Sequence, residues 1–185
     1  MDTETPDLPT PFKPSQESLP KLRKPTKDDG FPVHQLIAAC PPLDPNSIYC
    51  NLLQCHHFAD TSVAAELNGQ LAGFVSGYLI PQEPDTLFIW QVAVHTEARG
   101  LGLGKRMIRH ILARETCAQV KRLKTTITPD NQASWAMFRS LARDLGAEIQ
   151  QQLEYEQDTH FGGQHDSEIV LTIAPIQPTT TSNQR

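Results

Sequence analysis

The feature that most constrains this chain is a strand that runs through a glycine-rich turn into a helix. Residues 87–94 are almost all apolar, which is typical of a strand buried on both faces. Three glycines follow at alternate positions: Gly100, Gly102 and Gly104. Backbone N–H groups left bare by such glycines can converge on an anion at the positive end of a helix. The stretch therefore predicts a pyrophosphate cradle, with flanking positive charge from Arg99 and Lys105.

Other phosphate-binding motifs fit this turn poorly. A Rossmann fingerprint needs Gly-x-Gly-x-x-Gly and a later acidic residue, and a P-loop needs Ser or Thr where Arg106 stands. A purely structural turn is the alternative. The spacing Arg-x-x-Gly-x-Gly, formed by Arg99, Gly102 and Gly104 after a Val-Ala-Val strand, resembles the acetyl-CoA signature of the GNAT N-acetyltransferases.

Composition limits the classes of protein that the chain can represent. Its 185 residues predict one domain with a proper core. A net charge of -5 argues against binding nucleic acid. No apolar run reaches the roughly 18 residues that a membrane span needs. The first residues are acidic and lack the apolar core of a signal peptide, so we expect a cytoplasmic protein without membrane contact.

The cysteines raise the question of a metal. They stand at positions 40, 50, 55 and 117, and in a reducing cytoplasm we expect free thiols. Cys50 and Cys55 precede two histidines, but their spacing fits none of the usual zinc motifs. A helix with small buried thiols explains the same pattern, and we predict no metal site.

The order of predicted elements is β-α-α-β-β-β-α-β-α-β-β. It favours an α/β protein with a mixed, mostly antiparallel sheet flanked by helices. Asn68-Gly69 predicts a type I′ hairpin turn. Two helices follow it: one begins at the cradle, and the other is expected to be capped by Thr128-Pro129. The domain is predicted over residues 21–174, with disordered tails at 1–20 and 175–185.

Three further local predictions concern the surroundings of the cradle. Asp44 is expected to cap the second helix, with Pro45 at its first position. That helix is expected to turn its large apolar residues inward, namely Ile48, Tyr49, Leu52 and Leu53. Residues 157–167 are expected to form a loop between the last two strands.

The resemblance to GNAT acetyltransferases implies how acetyl-CoA is held. In that fold two strands splay apart, and the pantetheine arm pairs with exposed backbone of the first strand, here Val92 and Val94. Asn131 matches an asparagine that often follows the second strand. One position departs from the pattern, because Phe138 stands where a tyrosine commonly protonates the leaving thiolate. Phenylalanine cannot donate a proton, so the general acid stays open.

A narrower resemblance concerns segments that the fold alone does not dictate. They include Cys-Pro-Pro-Leu-Asp at 40–44, Pro-Asp-Thr-Leu-Phe at 84–88 and His-Phe-x-Gly-x-His-Asp-x-Glu at 160–168. Over about residues 21–174 the chain resembles the L-2,4-diaminobutyrate acetyltransferases of ectoine synthesis. The resemblance implies transfer of acetyl from acetyl-CoA to the 4-amino group of L-2,4-diaminobutyrate, in an enzyme that is usually a homodimer.

The residue types suit such a diamine substrate. Its ammonium groups need carboxylates, for which the candidates are Asp44 and Glu168, and the expected lining is Tyr49, Trp90 and His165. Glu168 with His165 is the first choice of general base, and Tyr49 with a water chain is the second. Helix capping, core packing and ordinary surface polarity remain alternative roles for these residues. A GNAT enzyme for another small amine and a non-catalytic CoA-binding module remain alternative functions.

Overall fold

The computed structural model describes residues 19–177, and seven strands in that part of the chain form one sheet. The strands are β1 (Lys21–Arg23), β2 (Val63–Leu67), β3 (Gln70–Ile80), β4 (Glu83–Val94), β5 (Arg122–Ile127), β6 (Glu148–Tyr155) and β7 (Glu168–Ala174). The helices are α1 (Gly30–Ala38), α2 (Ile48–His56), α3 (Leu103–Leu112), α4 (Gln132–Leu145) and α5 (Gln157–Phe161). The sheet order is β1-β2-β3-β4-β5-β7-β6, and only β4 and β5 pair in parallel. The predicted mixed, mostly antiparallel sheet is confirmed.

Helices cover the two faces of the sheet through two separate apolar clusters. Phe74 and Ala93 pack with α1, whereas Val75, next to Phe74 on β3, packs with the apolar sides of α3 and α4. Neighbouring side chains on a strand point to opposite faces, so the two helix pairs lie on opposite sides. Within residues 19–177, no helix is long and apolar enough to cross a membrane.

The Asn-Gly hairpin between β2 and β3 is confirmed. Asn68 and Gly69 both have positive φ angles, of 53° and 78°. These angles match the right-handed twist of the strands that the turn joins, and Asn and Gly adopt them at least cost.

The prediction for the start of α2 is wrong. Ser47 caps this helix, and its hydroxyl accepts from the Cys50 N–H at 3.1 Å. Asn46 has a left-handed φ of 52°, so a right-handed helix that begins at Asp44 or Pro45 cannot continue through it. Asp44 therefore lies in the loop before the helix, where its side chain is exposed.

The predicted buried face of α2 is also wrong. Its buried residues are Asn51, Gln54 and Cys55, while Ile48 and Tyr49 are exposed. Asn51 Nδ2 donates to Gln54 Oε1 at 3.0 Å, and Asn51 Oδ1 lies 3.1 Å from a ring nitrogen of His34. These bonds offset much of the cost of burying the amide side chains. A buried face made of paired amides cannot be recognised from the periodicity of apolar residues.

Three boundaries also differ from prediction. Asn131, not Thr128, caps α4, because Asn131 Oδ1 accepts from the Ser134 N–H at 3.1 Å. The predicted loop at 157–167 contains the short helix α5. Ile176, predicted to lie in the C-terminal tail, is buried, and its N–H donates to Lys121. Most of both predicted tails, namely residues 1–18 and 178–185, lies outside the described residues.

Candidate active site

A cleft of about 920 Å³ opens where β4 and β5 separate. The two strands pair only from Thr86 to Phe88 on β4, opposite 122–124 on β5. Beyond this point β4 loses its neighbour, and the gap is lined by the ends of both strands, residues 42–46, the start of α4 and the segment leading to β7. The divergence of two parallel strands thus creates the cavity.

The open edge of β4 presents backbone groups to this gap. His95 N–H donates to the Ala72 carbonyl of β3, so Val94, opposite Gly73, occupies a site not hydrogen-bonded to β3. Val92 is two residues away and has the same orientation. The N–H and C=O groups of both valines therefore point away from β3. The Val94 carbonyl already accepts from Arg99 Nε at 3.1 Å and from Cys40 Sγ at 3.4 Å.

A bulge in β4 places Trp90 at the wall of the cleft. Gln91 pairs with Ser76 and Ile89 pairs with Gly77, which leaves Trp90 without a partner on β3. Such a bulge re-aims side chains, and bulges are common beside active sites. The Trp90 ring lies edge-on to Tyr78, with 6.3 Å between ring centroids, and lines the cleft.

Glu168 and His165 lie together on the opposite wall. Glu168 Oε1 is 3.9 Å from His165 Nε2, and Glu168 Oε2 is buried without a hydrogen-bond partner. Burial raises the pKa of the Glu168 carboxyl, an effect opposed by the Thr126 hydroxyl and by His165. His165 Nδ1 is 2.7 Å from the Asp166 carbonyl, which can only accept, so Nδ1 carries a proton and Nε2 faces Glu168. This pair is suited to accept a proton.

Asp44 reaches the cleft from its loop, whereas Tyr49 does not. Asp44 lines the cavity, and its main-chain carbonyl accepts from Gln91 Nε2 of β4 at 2.9 Å. Tyr49 is 70 % exposed on the outer face of α2, and it is not among the residues that line the cavity. The structure thus brings Asp44, Trp90, His165 and Glu168 together and leaves Tyr49 outside.

The glycine turn has the backbone shape of an anion cradle. Gly100 and Gly102 have φ angles of 80° and 67°, and added side chains there would meet open space. The Arg106 N–H makes the helical bond to Gly102, so the three preceding N–H groups stand at the free end of α3. Arg99 is exposed beside them.

Two predicted members of the cradle have other contacts. Gly104 is buried, and a Cβ there would lie 2.6 Å from Met137 Sδ, so its missing side chain lets α3 approach α4. Lys105 Nζ bonds Ser140 and Asp144 of α4, each at 2.8 Å, and does not face the turn. Both residues lie in the first turn of α3, where their side-chain positions face the neighbouring helix. Their roles in the cradle are therefore limited to their backbone N–H groups.

The start of α4 closes the cleft. Asn131 lines it, although its side chain also caps the helix. Phe138 lies two turns further on, lines the cleft and is 2 % exposed, so its ring also belongs to the core. Gln91 and Thr126 also line the cleft and are not predicted as site residues from the sequence. Each is a polar residue at a strand position, and such positions carry no motif.

The sequence model of the acetyltransferase (GNAT) family matches residues 31–142, which include the glycine turn and the splayed part of β4. The chain belongs to the GNAT acetyltransferase family. It is 51 % identical over 166 residues to an L-2,4-diaminobutyric acid acetyltransferase of Methylotuvimicrobium alcaliphilum, covering 89 % of this chain and 96 % of the relative. A Vibrio cholerae protein of the same name is 49 % identical over 156 residues, covering 84 % of this chain and 90 % of the relative.

A solved structure gives the same comparison in three dimensions. It is the diaminobutyrate acetyltransferase of Paenibacillus lautus, in complex with L-2,4-diaminobutyric acid and coenzyme A. This GNAT chain superposes on it with a TM-score of 0.82 at 33 % identity, covering 86 % of this chain and 96 % of the other. The GNAT fold expected from the sequence is confirmed.

The site combines three chemical capacities. The free end of α3 can bind a diphosphate, the open edge of β4 can pair with an amide-containing chain, and Glu168 with His165 can take up a proton. In residues 19–177 no three His, Cys, Asp or Glu side chains are grouped to hold a metal ion.

Proposed function

We propose that this protein transfers the acetyl group of acetyl-CoA to the 4-amino group of L-2,4-diaminobutyrate, giving N4-acetyl-L-2,4-diaminobutyrate for ectoine synthesis. The observation that carries the proposal is the largely buried Glu168 carboxylate with His165, in a cleft that opens on the unpaired edge of β4. The names of the relatives at 51 % and 49 % identity support the same substrate.

Acetyl-CoA supplies the acetyl group as a reactive thioester, and the residues of the cradle fit its phosphates. The positive-φ turn at Gly100 and Gly102 and the first N–H groups of α3 would hold the pyrophosphate. Val92 and Val94 would pair with the pantetheine arm. In this proposal their N–H groups would also stabilise the negative charge that develops on the reacting carbonyl. Arg99 and Asn131 belong to the same binding surface in this proposal.

The amine must lose a proton before it attacks. An alkyl amine has a pKa near 10.4, like that of lysine, and arrives mostly as ammonium. Glu168 receives the proton, because its raised pKa brings the carboxyl closer to neutral pH, where a base works best. His165 Nε2, 3.9 Å away, is the next group in the same direction.

Recognition of the acceptor requires partners for its ammonium groups. Asp44 and Glu168 provide carboxylates for the ammonium groups on two walls of the cleft, and the indole of Trp90 provides a cation–π surface. Tyr49 as a binding residue, or as a second-choice base, stays a prediction. Since Phe138 has no proton to donate, the leaving thiolate takes its proton from solvent or another group.

The homodimer and the cytoplasmic location are further parts of the proposal. One face of the sheet near β6 carries the half-exposed aromatic side chains Tyr78, Phe88 and Tyr155, a surface that a second copy would cover. All four cysteines are free thiols, which suits a reducing compartment. Light scattering coupled to size-exclusion chromatography measures the oligomer mass directly.

Mass spectrometry of acetylated products tests the substrate. The purified protein and acetyl-CoA are offered diaminobutyrate, ornithine, lysine, putrescine and a peptide in separate reactions. We expect acetyl transfer to diaminobutyrate well above the other amines. Preferred acetylation of putrescine or the peptide would support a GNAT enzyme for another amine, and binding of CoA without any transfer would support a non-catalytic module.

A further inference from the structure

One buried side chain fastens the loop that carries Asp44 to the strand beneath it. Gln91 of β4 is only 7 % exposed. Its Nε2 donates to the Asp44 main-chain carbonyl at 2.9 Å, and its Oε1 accepts from Asn46 Nδ2 at 3.0 Å. Both ends of the same amide therefore bond to one short segment, which we term the Asp44 loop (residues 42–46).

The Asp44 loop has few other attachments to the domain. Pro42, Asp44 and Pro45 are exposed, and Leu43 is half-buried. Within the loop, the Asn46 N–H donates to Asp44 Oδ1 at 3.4 Å, and Asn46 holds a left-handed φ of 52°. These contacts shape the loop but do not fix it to the sheet. Leu43 and the two bonds from Gln91 do so.

The position of Gln91 next to the bulge gives these bonds a functional meaning. Trp90 and Gln91 are consecutive, so one segment of β4 both lines the cleft and holds the Asp44 loop, which also lines it. We propose that Gln91 is a positioning residue that sets acceptor binding by holding the Asp44 carboxylate over the cleft, an inference that rests on the proposed function. The cradle at 99–105 is a separate segment, and Val92 and Val94 would bind acetyl-CoA through their backbone groups, so cofactor binding does not require the Gln91 side chain.

Kinetics of Gln91→Met test the role. Methionine is close to glutamine in volume and lacks both hydrogen-bonding groups. We expect the KM for diaminobutyrate to rise about tenfold, which corresponds to about 1.4 kcal/mol, because both hydrogen bonds of the Gln91 amide are lost. The KM for acetyl-CoA should stay within about twofold, and the preference for diaminobutyrate over ornithine should narrow. Asn46→Gly keeps the left-handed backbone, removes one bond, and should give a smaller change in the same direction.

A matched control lies directly across the strand pair. Ser76 of β3 faces Gln91 in register, and its buried hydroxyl has no hydrogen-bond partner. Ser76→Ala should therefore leave both Michaelis constants unchanged. An equal rise of both constants in Gln91→Met would overturn the positioning role, because it would indicate general damage to the domain.

Hydrogen exchange separates this inference from the proposed function. In the absence of any acceptor, Gln91→Met should accelerate amide exchange in peptides spanning residues 42–47 and leave α3 unchanged. Unchanged exchange at 42–47, or faster exchange with an unchanged KM for the acceptor, would overturn the inference. If the wild-type protein acetylates another amine and Gln91→Met raises the KM for that amine, the positioning role stands and the proposed substrate is wrong.

Discussion

At the scale of single residues, the account depends most on Glu168. Its side chain is 18 % exposed, one carboxylate oxygen lacks a partner, and burial raises its pKa. A buried carboxyl with a raised pKa is costly to the fold when ionised and useful to catalysis as a base. Both consequences can be measured with the same substitution.

Glu168→Gln should lower kcat by about a hundredfold or more, the usual contribution of general base catalysis. Exposed Glu154 on β6 offers the control Glu154→Gln, which should keep full activity. Steady-state kinetics at pH 8 provides the measurement. Full activity in a folded Glu168→Gln protein would show that the base is another group.

The same variant should change how stability depends on pH. With a raised folded-state pKa, the folded protein binds more protons than the unfolded chain as pH rises above about 4.3, the usual glutamate value. The free energy of unfolding then falls as pH rises through the folded pKa, by about 1.4 kcal/mol for each pH unit that separates the folded and unfolded pKa values. Thermal melts should therefore show that the stability of Glu168→Gln relative to the wild type increases between pH 4 and pH 7. A constant difference would contradict the raised pKa.

Phe138 provides a second test at this scale. Its buried ring supports the core and has no proton to donate. Phe138→Leu should cost about 1–2 kcal/mol of stability and leave the alkaline limb of the pH–rate profile in place. Loss of that limb, in a folded variant that still binds CoA, would show that the acid depends on this position.

At the scale of elements, the glycine turn and the hairpin could be predicted because each has a local cause. Positive φ angles at Gly102 and at Asn68-Gly69 follow from residue type. The start and the buried face of α2 could not be predicted from the sequence. They depend on the left-handed backbone of Asn46 and on the hydrogen bond between Asn51 and Gln54. The side chain of Lys105 is expected from the sequence to flank the cradle, but it turns to Asp144 on another helix. Such a contact between helices has no local sequence signal.

The cradle prediction belongs to this scale. Gly102→Asp places a carboxylate in the open space before α3, where a pyrophosphate would lie. We expect CoA affinity to fall at least about tenfold by calorimetry, because like charges repel at the free helix end. Gly102→Asn is the matched control, since Asn has the same shape, tolerates a left-handed φ and carries no charge. Equal affinity in the Asp and Asn variants would argue against a phosphate at this turn.

At the scale of the whole molecule, the splay of β4 and β5 could be anticipated only through the family resemblance. No local pattern shows that pairing stops after Phe88. The cleft then gathers Asp44, Trp90 and Glu168 from segments far apart in the chain. Tyr49 was expected beside them, but α2 directs it outward. Motif reasoning thus identified much of the site, while the contacts that hold it, such as Gln91, required coordinates.

The central claim is regiochemical and depends on this assembled cleft. The Asp44 carboxylate can hold the α-ammonium end of diaminobutyrate and leave the distal amine free to reach Glu168 and attack. One additional methylene, as in ornithine, would displace the nucleophile by about 1 Å, and misplacement of that size costs about a hundredfold in rate. NMR assignment of the product formed from diaminobutyrate and acetyl-CoA tests the claim most directly. The account predicts acetylation of the 4-amino group with the 2-amino group spared, and a product acetylated at the 2-amino group would contradict it.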